Sequence, residues 1–298
     1  MASWVFKKTT TRRYKNSKAG LAFIMPAIFW LSLFVYVPLI MALVRVFQNY
    51  QTHEFVGFEN FDYVLKTPTF INSFKNVLFY TVVITVLMVV LSFSFASLIN
   101  KIRSKKVSGS VKAFIYLPNL MSGVIVAIIF NLFINTGFGL FAAIRAANNK
   151  YPIDFANEGI WPYLAIIIPT LWIGIGYNTL VMLAGRLNVP KEYYEAAEID
   201  GANWFQKLIY ITLPSMKNYF ILVITTQITG NLQMLEIPMW ITGGSEKTMT
   251  PCLYLFNTFR DSGRSPNVAI AGALIIMVII SIINIIAFSL LHSKKGDE

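Results

Sequence analysis

The sequence predicts an all-α integral membrane protein with six transmembrane helices and both termini cytoplasmic. Three observations carry this reading. Charged residues make up 13% of the 298 positions and hydrophobic residues 56%, where a soluble domain carries about 25% charged residues. Six long stretches contain no Asp, Glu, Lys or Arg. Seventeen of the 25 Lys and Arg fall on one alternate set of the segments that flank those stretches.

Crossing the hydrocarbon layer takes about 20 apolar residues at about 1.5 Å each. In oil such a run can satisfy its own amides only as a helix. The spans fall near 20–44, 76–100, 113–135, 161–185, 213–235 and 267–291. Together they define a membrane domain over 20–293, between an N-terminal segment 1–19 and a tail 294–298. The first run, Gly20–Val44, is too long for a signal-peptide core. Arg45, Phe47 and Tyr50 follow it instead of a small-x-small cleavage site, so it reads as a retained helix. Asn76–Asn100, Ala113–Ile144 and Gly159–Gly185 supply the next three. Asn218–Leu235 reaches spanning length if it begins near Leu213, and Ser265–Ser293 supplies the last.

The cations set the orientation. One side collects Lys7, Lys8, Arg12, Arg13, Lys15 and Lys18, then Lys101, Arg103, Lys105, Lys106 and Lys112, then Arg186, Lys191, Lys207 and Lys217, then Lys294 and Lys295. The other side holds eight. Lys and Arg are retained in the cytoplasm during insertion, so the richer side is inside. The net charge of +11 is then a topology signal. The clusters flank spans and form no aromatic-interleaved groove, so lipid and not nucleic acid is the expected contact.

Several chemistries are missing. No Gly-Lys pair occurs, so no phosphate loop is expected, and Gly243–Thr248 has the wrong spacing for one. With His53 and His292 the only histidines, no Ser/His/Asp arrangement or metal-ligand cluster is expected. Cys252 stands alone, which excludes an internal disulfide or a thiolate zinc cluster; it reads as a small apolar residue. The chain is expected to bind no cofactor and to catalyse no reaction. Apart from His292 at an edge, the spans hold no ionisable group. That argues against an ion-coupled transporter acting alone, which commonly needs one, although sodium sites built of carbonyls and hydroxyls stay open.

The fifth span is the most polar. Thr225, Thr226, Gln227, Thr229, Gly230, Asn231 and Gln233 fall within nine residues. At about 100° per residue, Thr226, Gly230 and Gln233 form one stripe with Gln227 and Asn231 beside it, while Ile221, Ile228, Leu232 and Leu235 lie opposite. Such a face must meet protein or water. It either hydrogen-bonds to neighbouring helices or lines a path for a polar solute. Trp172, Tyr177 and Asn178 on the fourth span are further path candidates, in a helix loosened by Pro169, Gly174 and Gly176; interfacial anchoring is the alternative for the two aromatics.

The fourth loop, residues 188–214, is the most specific segment. Pro190 suits a first helical turn and Glu192 favours the positive end of the helix dipole. Gly201 suits the left-handed residue that closes a helix. Asn203 with Gln206 makes a cap for a second short helix, and Pro214 opens the fifth span. The expected result is a helix–Gly–helix element on the cytoplasmic face. Ala196, Ala197, Gly201 and Ala202 are small enough to let another protein approach closely.

This loop resembles the EAA loop of ABC import permeases: Glu-Ala-Ala, three residues, Gly, nine residues, Ile, one residue, Leu-Pro. Here Glu195-Ala196-Ala197, Gly201, Ile211 and Leu213-Pro214 keep every spacing. Leu117-Pro118-Asn119 with Ser122, and Trp240-Ile-Thr-Gly-Gly, resemble the carbohydrate-uptake branch, the maltose-type and glycerol-phosphate-type permeases. That branch usually reads Leu-Thr-Gly-Gly-Pro, and Ser245 stands at the Pro position here.

The resemblance implies a type I ABC importer permease fold in a bacterial cytoplasmic membrane. It implies that Glu195, Ala196, Ala197, Gly201 and Ala202 dock on a cytoplasmic ATPase. The implied partners are two ATPase copies that bind ATP and Mg, a second permease that is usually a different chain, and an extracytoplasmic solute-binding protein that delivers a sugar or oligosaccharide. The rivals are an ion-coupled secondary transporter acting alone, and a membrane enzyme or scaffold, which would need clustered polar residues at a membrane face.

Overall fold

The computed structural model describes residues 17–261 and 265–292. Lys7, Lys8, Arg12, Arg13, Lys15, Arg264, Lys294 and Lys295, and the charge bias they contribute, lie outside the described residues. Within them the regular structure is helical, apart from an isolated bridge between Gln48 and Phe55.

In chain order the helices are α1 (Ser17–Leu31), α2 (Val37–Arg45), α3 (Glu59–Lys66), α4 (Pro68–Asn100), α5 (Lys105–Tyr116), α6 (Gly123–Ile134), α7 (Leu140–Ala147) and α8 (Trp161–Leu187). They continue as α9 (Lys191–Ile199), α10 (Trp204–Lys207), α11 (Leu213–Ser215), α12 (Lys217–Leu232), α13 (Glu236–Ile241), α14 (Pro251–Arg260) and α15 (Pro266–His292). Proline opens α4 and α14 within their first turn, where its missing N–H costs no helical bond. Pro38 sits just inside α2, and the preceding turn widens into a π segment over Ser32–Tyr36, consistent with a lost donor.

Among the described residues, four continuous helices are long and apolar enough to cross a bilayer: Ala22–Arg45, Pro68–Asn100, Trp161–Leu187 and Pro266–Ser289. The other two expected spans are bent in the structure. The span expected at 113–135 is a pair of helices, Lys105–Leu120 and Gly123–Ile134, bent by 94°. Pro118 lies in the 3-10 turn between them. Asn119 donates to the Ile173 carbonyl at 3.3 Å, and extended Ser122 caps the restarted helix by accepting from the Ile125 amide. The helix expected over 213–235 is also bent, by 69°, between Trp204–Ser215 and Lys217–Leu232. Its second half has 16 residues, about 24 Å of rise against a layer of about 30 Å. Counting each bent pair as one span gives six.

Helices α4 and α8 pack along each other at the centre, with α12 and α15 alongside. Three apolar clusters fill the interior. Tyr80, Ile84 and Ile166 join α4, α8, α6 and α13. Val64, Phe70 and Tyr254 join α3, α4, α14 and α15. Ala96, Met182 and Met216 sit where α4, α8 and the fourth loop meet. By contrast, the first hydrophobic helix buries none of its apolar window. It is covered by lipid or by another subunit, since water cannot cover so much apolar surface cheaply.

The loop after α13 ties down the opposite end of the molecule. Asn76 donates to the Glu246 and Met249 carbonyls and the Tyr80 hydroxyl to the Lys247 carbonyl. Ser245 donates to the Ala156 carbonyl at 2.6 Å, and Lys247 reaches the Asn157 and Gly159 carbonyls. A proline at 245 could not make the Ser245 bond. The structure thus gives the departure from the usual Gly-Gly-Pro a physical role. In the facing loop, hydrogen bonds from the Asn157 side chain and the Ala156 amide hold the Asp154 carboxyl below its usual range.

Candidate functional site

The fourth loop folds as a closed element. Pro190 stands one position before the helix, at the N-cap of α9, instead of inside its first turn. At the far end the Gly201 amide donates to the Glu198 carbonyl and the Ala202 amide to the Ala197 carbonyl, the paired bonds of a Schellman closure. Gly201 has φ +76, a conformation that costs an L-residue roughly 1–2 kcal/mol. A Cβ there would meet no atom within 4 Å, so the demand for glycine is a backbone demand alone. Asn203 and Gln206 then form a full capping box on α10.

Glu195, Ala196 and Gly201 are exposed, while Ala197 and Ala202 are half-buried. Sequence reasoning missed their neighbours. Ile199 is 88% exposed and Trp204 69%; with Tyr193 and Phe205, also exposed, they place large apolar side chains around the small-residue turn. Their signal was the apolar residues of a polar loop. A patch of this kind at a tight turn is the anatomy of a protein contact.

The element is wired to the membrane helices. The Tyr194 and Thr212 hydroxyls share a hydrogen bond of 2.8 Å, and buried Thr212 also donates to the Lys207 carbonyl. Lys207 pairs with Glu198 at 2.7 Å. Beyond the bend, Asn188 donates to the Tyr219 hydroxyl. The Tyr219 ring lies where a Gly185 side chain would stand, 2.6 Å from the Cβ position. Glycine at 185 therefore lets α12 seat on α8.

The polar face of α12 divides in two. Thr225 and Thr229 turn inward: Thr229 donates to its own helix and to Asn284 Oδ1 on α15 at 2.8 Å. Asn231 is buried with no partner for its Nδ2. Thr226, Gly230 and Gln233 lie exposed in a line, and Gln227 is half-buried beside them. Helical periodicity puts this line on the same side of α12 as Tyr219. Glu236 and Trp240 on α13, the next helix, are exposed as well. The Glu236 carboxylate lies over Gly123, the first residue of α6, where any side chain would collide with it. The sequence reading ended the span at Leu235 and so missed this acid.

The α8 candidates do not share a face. Trp172 packs edge-on against Phe130 in an apolar groove with Pro118 and Leu171. Tyr177 is exposed about 140° further round the helix. Asn178 is buried and donates to the Gly174 carbonyl at 2.7 Å.

These features define a membrane protein with several spanning helices: helices too apolar for water, a polar line on an inner helix, and one internal loop with an exposed apolar rim. The chain belongs to the family of binding-protein-dependent transport system inner membrane components, which matches residues 94–293. It is 29% identical over 295 residues to the arabinooligosaccharides transport system permease protein AraP of Bacillus subtilis, covering 95% of this chain and 92% of that one. It is 31% identical over 303 residues to AraP of Halalkalibacterium halodurans, covering 95% and 92%. It is 27% identical to the trehalose/maltose transport system permease protein MalF of Thermococcus litoralis, covering 97% of each. A chain of a bacterial ABC transporter involved in the import of the acidic polysaccharide alginate shares the fold, with TM-score 0.81 and 21% identity over 94% of this chain and 96% of that one. These relatives are transport permeases and not enzymes.

Proposed function

We propose that this chain forms half of the translocation path of an ATP-driven importer for an oligosaccharide, in a bacterial cytoplasmic membrane. The observation that carries the proposal is the 188–214 element: its residue spacing, its Schellman-closed turn at Gly201, and its exposed rim of Ile199, Trp204 and Phe205. Under this reading Glu195, Ala196, Ala197, Gly201 and Ala202 seat in a cytoplasmic ATPase subunit, two copies of which bind ATP and Mg. A second permease covers the polar line and the bare first helix. A solute-binding protein delivers the sugar at the opposite end.

Closure of the ATPase pair displaces the docked element. The Tyr194–Thr212 bond and the Lys207–Glu198 pair pass that displacement to the bend at Met216, and α12 moves against α8. Alternating access follows as the polar line opens to one side and then the other. Thr226, Gln227 and Gln233, joined by Glu236 and Trp240, offer hydroxyl-binding groups and an aromatic face suited to sugars. The names of the relatives support the solute class. The test is uptake by vesicles holding this chain, the second permease and the ATPase. Labelled arabino- or maltooligosaccharide should accumulate only with ATP and the binding protein; accumulation driven by an ion gradient alone would favour a secondary transporter.

A further inference from the structure

A cavity of about 290 Å³ opens where the fourth loop meets the membrane helices. Phe93 and Ser97 line it from α4, Lys101 from the position just after α4, Arg186 from α8, and Glu198 and Lys207 from the 188–214 element. Three cations thus face one carboxylate. That carboxylate is already taken, because Lys207 pairs with Glu198 at 2.7 Å. Neither Lys101 nor Arg186 has a carboxylate within ion-pair distance among the described residues. The Arg186 guanidinium lies 5.8 Å from the Phe93 ring, which steadies its plane but satisfies none of its N–H groups. Two polar atoms of the lining, Arg186 Nε and Ser97 Oγ, are buried without a hydrogen-bond partner. Buried polar atoms are ordinarily paired, and two such orphans border this one cavity.

We propose that the cavity is a phosphate site, filled by the headgroup of an anionic phospholipid or by a free phosphorylated solute. A phosphate supplies the counter-charge that Lys101 and Arg186 lack. Guanidinium matches it by paired N–H bonds. Basic pockets between helices at the cytoplasmic side are suited to such headgroups. The bound group would bridge α4 and α8 to the element carrying Glu198 and Lys207. Given the coupling role proposed above, on which this consequence rests, occupancy would stiffen the transmission between ATPase and helices.

The test uses the full chain purified in mild detergent. Native mass spectrometry follows retention of added phosphatidylglycerol against phosphatidylcholine, and equilibrium dialysis follows labelled inorganic phosphate. We expect phosphatidylglycerol to be retained preferentially, and Arg186→Gln and Lys101→Gln each to weaken it about tenfold, the loss of one charge-assisted bond. Lys101 is exposed, so its variant keeps the test informative if Arg186→Gln misfolds. Binding of inorganic phosphate without lipid preference, lost in the same variants, assigns the free-phosphate source. Binding of neither probe, or unchanged binding in both variants, overturns the proposal. Binding is read on the chain alone, so its failure leaves the coupling role standing, and failed ATPase association leaves the phosphate result standing.

Discussion

The Tyr194 hydroxyl lies 2.8 Å from the Thr212 hydroxyl, joining the helix before the Gly201 turn to the segment that enters α12. It spans the element that a docked partner would push. Removing it by Tyr194→Phe and by Thr212→Val should uncouple the two sides. A double-mutant cycle should return an interaction of about 1 kcal/mol in stability. Transport should fall in both single variants and no further in the double. Additive losses of transport would show that the bond does not carry the motion.

Gly201 separates backbone strain from steric exclusion. Its φ is +76 and the space beside it is open. Gly201→Asn should therefore keep much of the transport, because Asn tolerates the left-handed region. Gly201→Val should lose most of it while membrane insertion, read by protease accessibility, is unchanged. Equal activity of the two variants would remove the turn from the account.

The polar side of α12 makes opposite predictions for its two parts. Asn231 is buried and its Nδ2 unpaired, so Asn231→Leu should leave thermal stability within about 1 kcal/mol or raise it. Gln227→Leu and Gln233→Leu, in or beside the exposed line, should raise the apparent KM for the solute. Unaltered uptake kinetics in both would return the stripe to a purely structural role.

Much of this architecture is legible in the sequence, because apolar length and flanking charge are physical requirements of a bilayer. The turn at Gly201 and the Asn203–Gln206 box are legible because capping chemistry is local. The break at 117–122 was hidden: Pro118 and Ser122 sit inside an uncharged run, and only the partner carbonyl of Ile173 shows why the chain turns there. Glu236 was hidden because a charge reads as the end of a span, whereas its exposed carboxylate lies over Gly123 at the start of α6. Trp172, Tyr177 and Asn178 were grouped by composition, and helical phase separates them.

Ser245 should matter for the end opposite the docking element. Ser245→Ala removes the bond to the Ala156 carbonyl and should lower stability by about 1 kcal/mol, measured by thermal denaturation in detergent. Ser245→Pro should do the same, and no change in either would leave this contact without energetic weight.

The central claim is that the 188–214 element couples this chain to an ATPase. The most direct measurement is to purify the tagged chain from its native host in mild detergent and assay the preparation for ATP hydrolysis. The expected result is a co-purifying phosphate-loop ATPase and a second permease, with hydrolysis that rises when the binding protein and its sugar are added and fails to rise in Gly201→Val. Recovery of the intact chain alone, without ATP hydrolysis, would contradict it.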